Sequence, residues 1–178
     1  LGKSGRTLVL SSAGAEILIP SSALLTEEVK KLIGDNTARL SINVREITGK
    51  EAQELEGNTS TGIYRIGDRV FEFTAELKTS KDTLNISKFV RELKVSIKLS
   101  AEEVKGIDAS KLGVYRYNDE KKAWEYAGGV FNPRDNTITF DTGHFSMYAV
   151  MRPDSAYTDI VRHWAKQEIE LMAAKHII

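Results

Sequence analysis

Cysteine is absent from the 178 residues. That excludes disulfides, thiolate metal sites and a cysteine nucleophile. An excess of charge of either sign is also absent, because 25 Lys and Arg balance 25 Asp and Glu. Zero net charge gives no electrostatic reason to expect nucleic acid as a partner. No apolar run approaches the roughly 20 residues that span a bilayer, so no membrane insertion is expected. A Gly-rich phosphate loop, a Ser-His-Asp order and a distinctive pair of catalytic carboxylates are missing as well. The three histidines, His144, His163 and His176, do not have metal-site spacing. No metal, no cofactor and no enzymatic activity are therefore expected. The chain does not begin with Met and carries no signal peptide. It reads as an excised piece, so the missing leader says nothing about location.

What is present suits a packed domain. Hydrophobic residues make up 41% and charged residues 28%, an ordinary globular balance that argues against disorder. Two-residue alternation dominates the first 150 residues or so. Leu40, Ile42 and Val44 alternate with polar neighbours, as do Phe71, Phe73, Ala75 and Leu77, and then Leu93, Val95, Ile97 and Leu99. Each pattern gives one apolar and one polar face, the signature of a strand half buried in a sandwich. Thr7 to Leu10 and Ala15 to Ile19 flank Gly14 in a turn. Two more strand pairs flank the polar turns 118–122 and 132–136. Phe145 to Met151 reads as the last strand, and being apolar on both faces it is placed centrally. Thr26 is the expected N-cap of a short helix carrying Val29, Leu32 and Ile33. Ser100 and Glu103 have capping-box spacing. Residues 49 to 61 read as a polar loop with a helical turn at Ala52 to Leu55. The fold class is thus all-β, an antiparallel β-sandwich with short helices, over residues 1–152.

The period changes after Met151. Pro153-Asp154-Ser155 reads as a linker. Val161, Trp164, Ala165, Ile169, Met172 and Ala173 then fall on one helical stripe, with Asp159 placed as an N-cap. Residues 153–178 are accordingly expected to form a linker and a lone helix from about residue 160 to 174.

Two stretches resemble known families. Tyr157, Asp159-Ile160, His163-Trp164-Ala165, Ile169, Leu171 and His176-Ile177-Ile178 are similar to the first half of an S-layer homology repeat, in which Gly usually stands where His176 does. The second half of the repeat is missing. Such repeats generally work in threes and bind secondary cell-wall polysaccharide. The resemblance therefore implies a secreted parent anchored at the bacterial cell wall, of Gram-positive type, whose complete repeats do the binding that this fragment does not. The larger part resembles the β-sandwich module of zonula occludens, netrin-receptor and death-domain adaptor proteins. Arg6 to Leu10 and Gly14 to Leu24, with Ile19-Pro20-Ser21-Ser22-Ala23-Leu24, match its two-strand opening. Gly143-His144-Phe145-Ser146-Met147-Tyr148-Ala149-Val150 matches its closing His-Phe-Ser strand.

That resemblance carries the sharpest chemical hypothesis. In several such modules the Phe–Ser peptide bond cleaves itself, the serine hydroxyl attacking the preceding carbonyl in an N-to-O acyl shift. Here His144 would be the base, Ser146 the nucleophile and Phe145 the acyl residue. The plainer reading makes all three ordinary strand residues, with the hydroxyl held away from its own carbonyl by regular pleating. Asn132-Pro133 can break spontaneously but reads better as a turn. Asn118, Asp119, Glu120, Asp135 and Asn136 could offer oxygen ligands to calcium, yet they lack the dense spacing of a calcium loop. Tyr115, Tyr117, Trp124 and Tyr126 could form a sugar platform, but such aromatics more often fill a core. The expected function is a non-catalytic spacer module of an extracellular, cell-surface protein. The alternatives are an extracellular glycan-binding module and a self-cleaving module processed at Phe145-Ser146.

Overall fold

The computed structural model describes residues 5–55, 62–153 and 157–178. Among them the strands are β1 (Thr7–Ser12), β2 (Ala15–Pro20), β3 (Arg39–Thr48), β4 (Ile63–Arg65), β5 (Arg69–Lys78) and β6 (Thr83–Asn85). They continue as β7 (Lys88–Lys98), β8 (Gly113–Asn118), β9 (Ala123–Gly128), β10 (Val130–Asn132), β11 (Thr137–His144) and β12 (Met147–Pro153). All their pairings are antiparallel. One sheet has the order β1-β2-β7-β11-β10. The other runs β3-β5-β12-β8-β9, with β4 added to β12 and β6 to β5. The protein is an antiparallel β-sandwich.

Strand β7 shows why. Leu93, Val95 and Ile97 are fully buried, and Leu99 nearly so. Val95 lies between Ile17 of β2 and Phe140 of β11. The intervening lysines face water, Lys94 pairing with Asp141 across the strand at 2.9 Å. Side chains from both sheets merge in one core that includes Ile17, Phe73, Val95, Phe140 and Tyr148. The β1–β2 hairpin turns on Ala13 and Gly14, with φ of 52° and 77°. Two successive positive φ values twist a tight turn the way paired strands twist.

A second, smaller cluster lies apart from this core and joins Ile47, Ala52, Val70, Tyr115, Trp124, Ala149 and Met151. It explains a strand that is apolar on both faces. Tyr148 and Val150 of β12 belong to the main core, while Ala149 and Met151 belong to the second cluster. As the sequence implies, β12 is central, between β5 and β8.

Helix α1 (Glu27–Leu32) starts at Thr26, whose hydroxyl accepts from the Val29 amide at 3.2 Å. Helix α2 (Gly49–Glu54) covers the expected helical turn and buries Ala52; residues 56–61 of the expected loop lie outside the described residues. Helix α3 (Ala101–Val104) opens with the full capping box between Ser100 and Glu103. Glu103 also takes a two-pronged pair from Arg69 of β5, at 3.0 and 2.9 Å. Gly67 passes so close that a Cβ there would meet the Glu103 carboxylate at 2.2 Å, and its φ is +65°.

Several expectations change. The last strand begins at Met147, not Phe145, because β11 and β12 belong to different sheets and Phe145-Ser146 carries the chain between them. Short strands β4 and β6, which three residues cannot announce by periodicity, fill the edge of β12 and β5. The tail helix α4 (Lys166–Ala174) is shorter than expected. Residues 158–160 form a 3-10 turn instead, and Ala165 rather than Asp159 occupies the N-cap position. Pro153 of the expected linker is instead the last residue of β12, paired with Ile63 of β4; Asp154 and Ser155 lie outside the described residues.

Candidate functional site

The crossover from β11 to β12 gathers the residues with the sharpest chemical hypothesis. The β11–β7 register slips between Thr142 and His144, so a bulge precedes the turn. The bend is then stitched from several sides. The Phe145 amide donates to the Ser87 carbonyl at 2.8 Å, and the Ser146 carbonyl accepts from the Phe73 amide at 3.0 Å. Tyr148 donates its hydroxyl to the His144 carbonyl at 2.8 Å and sits 2.8 Å from the Thr142 hydroxyl. Thr142 in turn accepts from the His144 amide at 3.1 Å. Phe145 is buried against Phe73 and Phe89, with ring centroids 6.0 and 4.7 Å away.

His144, Phe145 and Ser146 therefore stand together, with His144 ending β11 and Phe145-Ser146 outside any strand. The Ser146 hydroxyl donates to the Tyr117 carbonyl of β8 at 3.1 Å. Among the described residues no hydrogen bond joins it to the His144 imidazole. Burial, followed by the Arg116 and Lys88 cations, holds that imidazole below its usual pKa, so it is neutral at pH 7. The site thus has a neutral base beside a serine whose hydroxyl proton is committed to a neighbouring strand.

The four aromatics considered as a sugar platform do not form an exposed row. Tyr115 is 1% and Trp124 8% exposed. The Trp124 indole donates to the Leu55 carbonyl at 2.8 Å, and Tyr117 packs edge-on against Trp124 at 5.2 Å. They fill the second cluster, so they give the glycan alternative no platform. Two of the turn side chains, Asp135 and Asn118, are also occupied locally. Asp135 accepts from the Thr137 amide and hydroxyl, and Asn118 from the Glu120 and Lys121 amides. Asn132 accepts from the Arg134 amide, closing the turn around Pro133. Among the described residues no acidic or histidine cluster could hold a metal.

Tyr157, Asp159, His163 and Trp164 are all solvent-facing. Trp164 is 91% exposed, with the His163 ring stacked on it at 5.6 Å. The expected apolar stripe is therefore not packed on the sandwich over its first half, because 161–165 is turn rather than helix. The tail docks by its other end. Lys175 donates to the Leu112 and Gly129 carbonyls, and Glu170 pairs with Lys111 at 2.7 Å. The His176 ring lies 2.9 Å from the Tyr115 hydroxyl and stacks on Tyr126 at 4.6 Å. Burial, with Tyr126 beside it, pushes Tyr115 up to about 12. His176 has φ of 53°. Its amide bonds the Ala173 carbonyl and that of Ile177 the Met172 carbonyl, the left-handed helix stop that glycine usually serves. The only sequence signal for this contact was a histidine where the repeat usually has glycine.

Over 74 residues, 42% of the chain, the sequence is 43% identical to an amylopullulanase of Thermoanaerobacterium thermosulfurigenes. The match spans 4% of that protein's length. No protein-family model matches the sequence. No helix among the described residues is long and apolar enough to cross a membrane.

Proposed function

We propose that this chain is a non-catalytic spacer module of a secreted bacterial surface protein, with residues 153–178 the first half of an S-layer homology repeat. The observation that carries the reading is the proportion of the amylopullulanase match. A module-sized stretch is shared, while nearly all of that enzyme lies outside it. A piece reused in this way supports, spaces or positions the parts that act. The self-contained sandwich core fits that role. So does the commitment of Ser146, Trp124 and Asp135 to local structural bonds. In this reading complete repeats elsewhere in the parent bind cell-wall polysaccharide, and this chain does not.

Two measurements test it. An antibody to the module should detect the parent on intact cells of the source bacterium, and external protease should remove the signal; a signal protected until the cells are broken overturns the surface assignment. The purified chain should neither hydrolyse pullulan nor sediment with cell-wall preparations. Hydrolysis would overturn the non-catalytic reading, and sedimentation would overturn the claim that binding needs complete repeats.

A further inference from the structure

The first sheet ends on an unguarded strand. β1, Thr7-Leu8-Val9-Leu10-Ser11-Ser12, pairs on one side only, with β2. The Ser21 amide donates to the Arg6 carbonyl at 2.8 Å, in register with the β1–β2 ladder. Backbone groups alternate sides along a strand. Leu8, Leu10 and Ser12 therefore direct their amides and carbonyls to β2, while Thr7, Val9 and Ser11 direct theirs outward. Among the described residues no backbone hydrogen bond meets these outward groups. Edge strands are ordinarily guarded by charge, proline, a bulge or shortness. β1 has no charged residue and no proline, and its ladder runs without a slip. The other sheet edges are guarded. β3 carries Arg39, Arg45 and Glu46, β9 carries Glu125 and slips in register beside Tyr115, and β10 has only three residues.

Both faces of this edge are apolar at the centre. Leu8 and Leu10 lie on the core face with Ile19 and Ile17 opposite them. Leu10 packs against the main core, yet Leu8 is 44% exposed. Val9 lies on the other face opposite Leu18 of β2 and is 53% exposed. The strand also matches itself when turned round. In an antiparallel pair of β1 strands centred on Val9, Val9 stands opposite the partner's Val9, and Thr7 stands opposite the partner's Ser11. These are the residues with outward backbone groups, so each such pair exchanges both of its bonds. Leu8 then meets the partner's Leu10 on the core face, at the closer spacing of a non-hydrogen-bonded pair. On the outer face Leu18 and Val9 of each copy join in one apolar strip. Arg6 falls opposite the partner's Ser12, so no like charges are set against each other.

We infer that the β1 edge is an interface with a second copy of this chain, the two copies joining antiparallel about a two-fold axis at Val9 so that their first sheets become one. A foreign strand could take the same backbone bonds. The match of both faces at a single register is what selects a second copy. The contact is isologous and consumes the edge in both copies, so it closes at the dimer. A strand this short gives a small interface, at the weak and transient end of the range. The inference does not rest on the spacer reading: a module of any role can pair through this edge.

Sedimentation velocity of the intact chain tests it. Over a range reaching about 1 mM, the chain should pass reversibly from monomer to dimer, with a Kd on the order of 100 μM and no larger species. Val9→Lys sets like charges opposite each other at the axis and should weaken the dimer about tenfold or more. Its Tm in dilute solution should be nearly unchanged, because the side chain lies on the exposed face. The chain has no cysteine, so single cysteines report the geometry. In the Val9→Cys variant the substituted positions lie about 5.5 Å apart between Cα atoms, within disulfide range, and mild oxidation should link them. Asn43→Cys, on the exposed face of β3, should stay unlinked. A monomer throughout the range would overturn the interface. So would growth beyond the dimer, association untouched by Val9→Lys, or linking of Asn43→Cys as readily as Val9→Cys.

Discussion

Removing the Tyr148 hydroxyl tests what holds the crossover in shape. Tyr148 is fully buried. Its hydroxyl bonds the His144 carbonyl and the Thr142 hydroxyl, both at 2.8 Å. A neutral hydrogen bond nets about 1 kcal/mol, so Tyr148→Phe forfeits about 2 kcal/mol at most. The loss is smaller because the Thr142 hydroxyl also reaches the His144 carbonyl, at 3.1 Å. We expect about 1–2 kcal/mol, or a fall in Tm of about 3–6 °C for a chain of this size. Thr142→Val keeps the shape but strands the His144 amide and should cost about 1–3 kcal/mol. The two changes share one bond, so the double variant should be less destabilised than the sum by about 1 kcal/mol. Urea unfolding followed by circular dichroism measures all three variants, with the denaturant slope unchanged. Strict additivity, or a Tyr148→Phe variant as stable as the parent, would refute the shared clasp.

Val95→Asp buries an unpaired carboxylate between Ile17 and Phe140 and should cost about 3–5 kcal/mol or abolish folding, read by the same unfolding curves. Glu103→Ala loses both the α3 capping box and the Arg69 pair; about 2 kcal/mol is expected, and a neutral result would show that this corner is held by packing alone. Tyr115 has a folded pKa raised from 10.0 to about 12. Its contribution is therefore complete below pH 10 and lost as pH rises to about 12, amounting to about 2–3 kcal/mol. Lys175, lowered by burial, works in the opposite direction and offsets part of that loss; a Tyr115→Phe variant should lose less stability over this range. The Phe145–Ser146 bond should stay intact, because the serine hydroxyl donates to Tyr117. Intact mass should give one full-length chain, and fragments that vanish in Ser146→Ala would reverse this.

Strands whose side chains alternate over several residues could be read directly from the order of residues. The register of β7 is an example, since a one-residue slip would bury Lys94 and Lys98 and expose Val95. Local chemistry was equally legible at Thr26, at Ser100 with Glu103, and in the Ala13-Gly14 turn, because each cap or turn depends only on residues within four positions. The double-sided apolarity of β12 announced its central place. Features that depend on partners distant in sequence emerged only on folding. Phe145-Ser146 leaves the strand because β11 and β12 belong to different sheets, which alternation within either strand cannot reveal. Tyr115 and Trp124 are buried because Leu55, Ala52 and Met151 meet them from other segments. His176 joins the sandwich because Tyr115 and Tyr126 lie side by side across β8 and β9.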